Sequence, residues 1–293
     1  DPTRPAKVPL PDPDDPFGWG EPDKVVQLRP GKAHIRPSNV RKAVLEHATD
    51  TGNAKRMVAL FGDKIRYCPA FNKWLIWNGH IWARDENLEI MRIAKATIRM
   101  MTKEALVIAN DADRTTRIKH CLSSESTSRL NAMVVNAQSE LTIEPQELDS
   151  DLMLLCVENG TVNLKTGKLG PHCREDFITR MAPVVFDPNA IHPKWEEVLD
   201  RFVRPDPGKE SFLQRAAFAS YTGTTSDKAF MNPFDEQEGD TGKTTFMGSI
   251  RITLGPYATT VSAQTFMTGP KGIRADRATC AGMRMVVSSE IPP

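Results

Sequence analysis

Gly239-Asp240-Thr241-Gly242-Lys243-Thr244-Thr245, followed at once by Phe246-Met247-Gly248-Ser249-Ile250, is the stretch on which the fold turns. Glycines let the backbone point its amides at a phosphate, and a helix that starts just after them offers its positive end to the same anion. A lysine behind the last glycine can reach β and γ phosphates, and the next threonine can hold Mg2+. Gly239, Asp240, Thr241, Gly242, Lys243, Thr244 and Thr245 are therefore the candidate nucleotide-binding residues, with Lys243 also catalytic and Thr244 a metal ligand. The pattern G-x-x-x-x-G-K-[ST] asks for glycine at position 237, where this chain carries Gln237. The residues before the loop include Pro233, Asp235 and Glu236, and proline sits poorly in a central strand. Alone, the stretch also reads as a surface turn capping a helix.

Reading outward, the helix expected at 242–254 meets two stop signals, Gly255 and Pro256. Met283-Arg284-Met285-Val286-Val287-Ser288-Ser289-Glu290 then has the pattern of a buried strand ending in hydroxyls and a carboxylate. An acid at the end of a neighbouring strand holds the metal or orients water in phosphate-loop enzymes, so Glu290 is the second candidate catalytic and metal residue. The spacing leaves room for a helix and one intervening strand. Strands often end in polar residues, so this run adds weight only beside the loop. Upstream, residues 193–203 form an amphipathic pattern with Trp195, Val198, Leu199 and Phe202 on one side, and 210–221 reads as another helix. Helices and buried strands of this kind fit an α/β layer.

The earlier part reads differently, as α+β with short elements. Helices are expected at 38–47, 53–61 with Gly62 as its stop, 86–109, 114–122 and 126–139. In the third of these Ile90, Ala94, Ile98, Met101 and Ala105 line one face while Arg92, Lys95, Arg99 and Lys103 line another. Residues 74–82 carry Asn78-Gly79 between two aromatic and apolar runs, the signal of a two-residue hairpin turn in which Trp77 faces His80 and Leu75 faces Trp82. A buried strand is expected at 152–157, then a small hairpin from 161–164 and 168–169 around Lys165-Thr166-Gly167. Asp187-Pro188-Asn189 marks the boundary between two domains. Nine of the 22 prolines fall in residues 1–37, which read as an extended linker and suggest a fragment of a longer polypeptide.

A chain of 293 residues suggests two domains, taking roughly 100–200 residues for each. Apolar residues at 40% and charged residues at 26% exclude wholesale disorder and a fibrous repeat. No apolar window is long enough to span a membrane, and the start lacks a secretion signal, so a cytoplasmic protein is expected. Lysine plus arginine at 38 against aspartate plus glutamate at 37 leaves +1, so any nucleic-acid contact must come from local clusters such as Lys271, Arg274, Arg277 and Arg284. The five cysteines are scattered without a C-x-x-C, which disfavours a disulfide framework and a zinc site. His120-Cys121 and His172-Cys173 are taken as coincidence. The Trp74, Trp77 and Trp82 cluster favours core packing over stacking of bases.

On these motifs the chain resembles the phage and plasmid primase-helicase family, superfamily 3 helicases of the AAA+ class related to the poxvirus nucleoside triphosphatase. The resemblance runs from Asp50 to Glu290. It is carried by Thr51-Gly52-Asn53-Ala54-Lys55-Arg56, the 74–82 stretch, Glu158-Asn159-Gly160-Thr161-Val162-Asn163-Leu164-Lys165-Thr166-Gly167 and Phe186-Asp187-Pro188-Asn189-Ala190. Trp195, the phosphate loop, Leu254-Gly255-Pro256-Tyr257-Ala258 and the strand ending at Glu290 complete it. The resemblance implies a collar domain at 38–187, and at 188–293 the first part of a P-loop ATPase domain that lacks its C-terminal portion. It implies ATP and Mg2+ as cofactors, with Lys243 and Thr244 as the loop lysine and metal ligand and Glu290 as the acid of the second motif. Partners implied are single-stranded or forked DNA, further copies in a hexameric ring, and a primase module upstream, in the cytoplasm of a bacterial host. The family's sensor residue and arginine finger have no counterpart here, so this chain alone is expected to hydrolyse nucleotide poorly. A non-catalytic oligomerisation or DNA-binding module with a degenerate nucleotide site, suggested by Gln237 and Pro233, is the alternative.

Overall fold

The computed structural model describes residues 47–203, 207–224, 231, 242–266 and 278–289. The linker expected at 1–37, the helix expected from 38, Gln237, and the basic residues Lys271, Arg274 and Arg277 lie outside the described residues.

The first helix, α1 (Asp50–Phe61), starts where the Thr49 hydroxyl accepts from the Gly52 amide at 3.0 Å. Three short antiparallel strands follow in order: β1 (Ile65–Cys68), β2 (Lys73–Trp77) and β3 (Trp82–Arg84). The next helix, α2 (Glu89–Leu106), begins where the Asp85 carboxylate accepts from the amides of Glu89 and Ile90 at 2.8 and 2.9 Å. Asn110 caps α3 (Asp111–Ser124) in the same way, and α4 (Thr127–Gln138) completes the group. The apolar face expected of α2 is buried, and Arg92, Lys95, Arg99 and Lys103 point to solvent. With Met57, Leu60, Ile65, Trp74, Cys121, Met133 and Ala137 that face makes one core, with α1 packed on α4 and α2 on α3.

The hairpin expected at 74–82 forms in a different register. Trp77 pairs with Trp82 and Leu75 with Arg84, so four residues rather than two make the turn. Asn78 explains the change: its side-chain oxygen accepts from the amides of both His80 and Ile81 at 2.9 Å, which holds the longer loop closed. Trp82 and Trp74 are buried and Trp77 packs against Trp82 at 5.9 Å, so these rings belong to the interior.

The second part opens with an antiparallel sheet, β4 (Leu154–Val157), β5 (Gly160–Asn163) and β6 (Lys168–Gly170). Helices α5 (Pro193–Val203), α6 (Pro207–Thr222) and α7 (Lys243–Leu254) follow, then β7 (Ala258–Ser262) and β8 (Met285–Ser289), paired parallel with Thr260 opposite Val287. A single core joins Leu155, Val157 and Val162 of the sheet to Leu199, Ala217, Phe246, Ile250, Leu254, Tyr257 and Met285. Helices mixed with small sheets make the α/β or α+β class that the sequence indicates. Among the described residues, no helix is long and apolar enough to cross a membrane.

Candidate nucleotide site

Helix α7 opens at Gly242, which takes a left-handed conformation (φ 78°) and lends no side chain to the first turn. Lys243 follows half-buried, and Thr244 and Thr245 are exposed on the same turn. A 12-residue helix begun this way presents the positive end of its dipole. Its position is fixed from below by Phe246, 4% exposed, whose ring stacks on Trp195 of α5 at 5.6 Å and 13°.

The turn Gly255–Tyr257 links α7 to β7, and α7 packs against both β7 and β8, which run parallel to each other. Parallel α/β arrangements take ligands at the C-terminal ends of their strands. β8 ends at Ser289, one residue before Glu290. The Ser288 hydroxyl is buried without a hydrogen-bond partner. Gly239, Asp240, Thr241 and Glu290 lie outside the described residues; Gly242, Lys243, Thr244 and Thr245 lie within them. A cleft of about 640 Å³ lined by Trp82, Arg180, Tyr257 and Arg284 lies instead beside the far end of α7, so the candidate site does not draw on it.

Several motifs distant in sequence meet in space. The Asn159 amide group donates to the Phe186 carbonyl at 2.9 Å and accepts from the Phe186 amide at 3.0 Å, joining the 158–167 stretch to the 186–190 stretch. The Tyr257 hydroxyl donates to the Arg180 carbonyl at 2.7 Å and accepts from the Cys156 amide at 3.3 Å. Burial raises the pKa of Tyr257, so the phenol stays protonated and able to donate.

Two buried polar groupings were not legible in the sequence. Asn53 and Arg56, 0% and 1% exposed, form a network in α1: Asn53 donates to Ser124 Oγ at 3.0 Å, and its side-chain oxygen sits 3.0 Å from His120 Nε2. Arg56 donates to the His47 carbonyl at 2.9 Å and to Asn53 at 3.3 Å. Burial, then the charges of Arg56, Arg129 and Arg117, lower the pKa of His120, which leaves the ring neutral with Nε2–H as donor. In the second part, burial pushes the Cys156 thiol up to about 12. The thiol faces His172 Nδ1 at 3.4 Å, and His172 Nε2 faces the Glu158 carbonyl at 3.3 Å. The signal was an Asn and an Arg in the first and a Cys in the second, each at a position that its own helix or strand buries; the partly buried His120 and His172 join them from α3 and a loop. Cys121 and Cys173, the partners of the two His-Cys dipeptides, do not share a site, and among the described residues no group of three or more His, Cys, Asp or Glu side chains could hold a metal ion.

Three small sheets among the described residues, packed helices and a helix that opens at a left-handed glycine define a mixed helical and α/β protein with one candidate anion site. Residues 54–204 match the family model described as D5 N terminal like, the N-terminal domain of D5-like primase-helicase proteins. The match spans more than half of the 293 residues, and the chain belongs to that family. It runs from α1 through α5, across both cores. No curated protein matches the chain.

Proposed function

We propose that the chain is the collar and first motor segment of a replicative DNA helicase that couples ATP hydrolysis to unwinding. The observation that carries this reading is the first turn of α7, where left-handed Gly242 is followed by Lys243, Thr244 and Thr245 on a helix that packs against the parallel pair β7 and β8. Family membership supports a role in replication. In this proposal residues 38–187 are the collar and 188–293 the first part of the ATPase domain.

The residues present fit a polyphosphate. Gly242 leaves the helix start uncovered by any side chain, and the amides of the first turn would donate to anionic oxygens. The Gly239, Asp240 and Thr241 backbone would complete that cradle. Lys243 would hold the β and γ phosphate oxygens and neutralise charge as the terminal phosphoryl group leaves. Thr244 would place its hydroxyl, and Glu290 its carboxylate, toward Mg2+, which when bound supplies Lewis-acid stabilisation of phosphoryl oxygens. Glu290 would also orient the attacking water, and Thr245 would add a hydroxyl to the rim. Partners in this reading are single-stranded or forked DNA, further copies of the chain in a hexameric ring and an upstream primase module, in a bacterial host's cytoplasm.

Titration of the chain with ATP, with and without Mg2+, is the direct test. Saturable Mg2+-dependent binding that Lys243→Ala abolishes supports the motor; its absence favours the non-catalytic module. In the complete polypeptide, Lys243→Ala is expected to lower turnover by about 100-fold or more, as loss of a charge-stabilising donor does elsewhere. Normal unwinding by that variant would falsify the reading.

A further inference from the structure

The far end of α7 is tied to β4 by two side chains. Arg284 immediately precedes β8, and its amide donates to the Tyr257 carbonyl at 2.8 Å. Its guanidinium lies over the Tyr257 ring at 4.5 Å. From there one nitrogen donates to the Leu152 carbonyl at 3.1 Å and the Tyr221 carbonyl at 2.6 Å, and the other donates to the Leu154 carbonyl. Tyr257, 1% exposed, adds its hydroxyl to the Arg180 carbonyl and the Cys156 amide. Two side chains thus join the end of α6, the turn after α7, the start of β8 and the strand β4.

The backbone is shaped around this junction. Gly223 is left-handed (φ 65°), and a Cβ there would stand 2.8 Å from Arg284 Cγ. Gly255 is left-handed too (φ 52°), and a Cβ there would stand 2.4 Å from Pro183 Cδ. Both positions close the turn and admit the neighbour only as glycine. A planar five-donor fork is the side chain that can bind carbonyls from a strand, the turn before it and a helix end at once; an ammonium cannot span them.

We propose that Arg284 and Tyr257 are positioning residues that transmit occupancy of the α7 first turn to β4. The proposal rests on the nucleotide reading of that turn. Helix α7 is one rigid element, with Gly242 at one end and the Tyr257 turn at the other; β8 likewise runs from Arg284 to the residue before Glu290. A ligand held between Lys243 and the β8 end ties together the two elements whose opposite ends Arg284 and Tyr257 clamp to Leu152, Leu154 and Cys156. Such a chain of hydrogen bonds and packed rings can carry coupling free energy between two sites.

The test is amide hydrogen exchange of the whole chain with and without Mg2+ and the non-hydrolysable ATP analogue AMP-PNP. Slowed exchange is expected in the 242–254 segment together with a change of about fivefold or more at 150–158. In Tyr257→Phe and in Arg284→Lys, which keeps the charge but loses the fork, the 242–254 response should persist while the 150–158 response falls. Slowing at 242–254 with 150–158 unchanged in the wild type would overturn the coupling and leave the nucleotide reading intact. So would a 150–158 response of wild-type size in both variants. No response at 242–254 would remove the nucleotide reading and the coupling with it. Tyr257→Phe keeps the ring, so it carries the test if Arg284→Lys fails to fold.

Discussion

The two large cores are built on opposite principles. The first gathers consecutive elements, α1 to α4 with β1 and β2, from one uninterrupted stretch of sequence. The second gathers β4 and β5, then α5 to α7, then Tyr257 and Met285, from segments widely separated in sequence. The first core closes within one stretch, its first helix packed on its last. The second depends on a few anchors between segments further apart, and loop closure precedes any reward from such contacts. A third, smaller cluster of Cys68, Leu75, Trp82 and Ile143 draws on the same stretch as the first core, with Phe177 packed against it and Trp82 Nε1 donating to the Arg174 carbonyl at 2.7 Å.

The largest expected effects come from emptying each core. Met133→Ala and Leu254→Ala remove side chains that are 0% exposed, and each should cost about 2–5 kcal/mol in a urea titration. The contrast lies in a second readout. Met133→Ala should leave ATP titration unchanged, whereas Leu254→Ala, at the base of α7, should weaken it. Equal behaviour of the two would erase the distinction between the cores.

Tyr257→Phe comes next. It leaves the Cys156 amide and the Arg180 carbonyl without their partner, at about 1–3 kcal/mol, and the loss should show as a lower Tm. In the first region the comparable buried tie is Asn53, which donates to Ser124 Oγ across 71 positions.

Acid should act on both regions. His120 and His172 have pKa values held below the ordinary 6.5, so the unfolded chain binds protons more readily than the folded one. Stability is full above pH 6.5 and falls as pH drops below it toward the depressed folded values. His120→Gln keeps a donor toward Asn53 without the titration, and should flatten the first region's share of the slope in pH-dependent urea melts. The smallest effect belongs to the surface of α2. Arg92 and Glu89 form an exposed pair, side chains 65% and 38% accessible, and Arg92→Ala should shift stability by about 0.5 kcal/mol or less.

The same contrast explains what the sequence could reveal. Apolar spacing placed α2 at 86–109 and α4 at 126–139, close to the observed Glu89–Leu106 and Thr127–Gln138, because a helix face is encoded by residues three and four apart. Gly242 and the stop at Gly255 delimited α7 for the same local reason. The hairpin register was missed because the Asn78 side chain, not the Asn-Gly backbone, sets the turn. Arg284 could be noted only as one of several basic residues. Its partners Leu152 and Tyr221 lie 132 and 63 positions away, and no periodicity connects them. Asn53 carried a motif of the resemblance, yet its bond to Ser124 spans 71 positions and is equally invisible in a linear reading.

The fit of Pro183 into the space at Gly255 carries a consequence for engineering. These two residues, like Arg284 and Gly223, are complementary halves of one shape contributed by different segments. A chimaera that joins a foreign second part to this first part must therefore transplant residues in matched sets, and a splice anywhere from 183 to 284 that separates a glycine from the side chain filling its place would meet a side chain in the way.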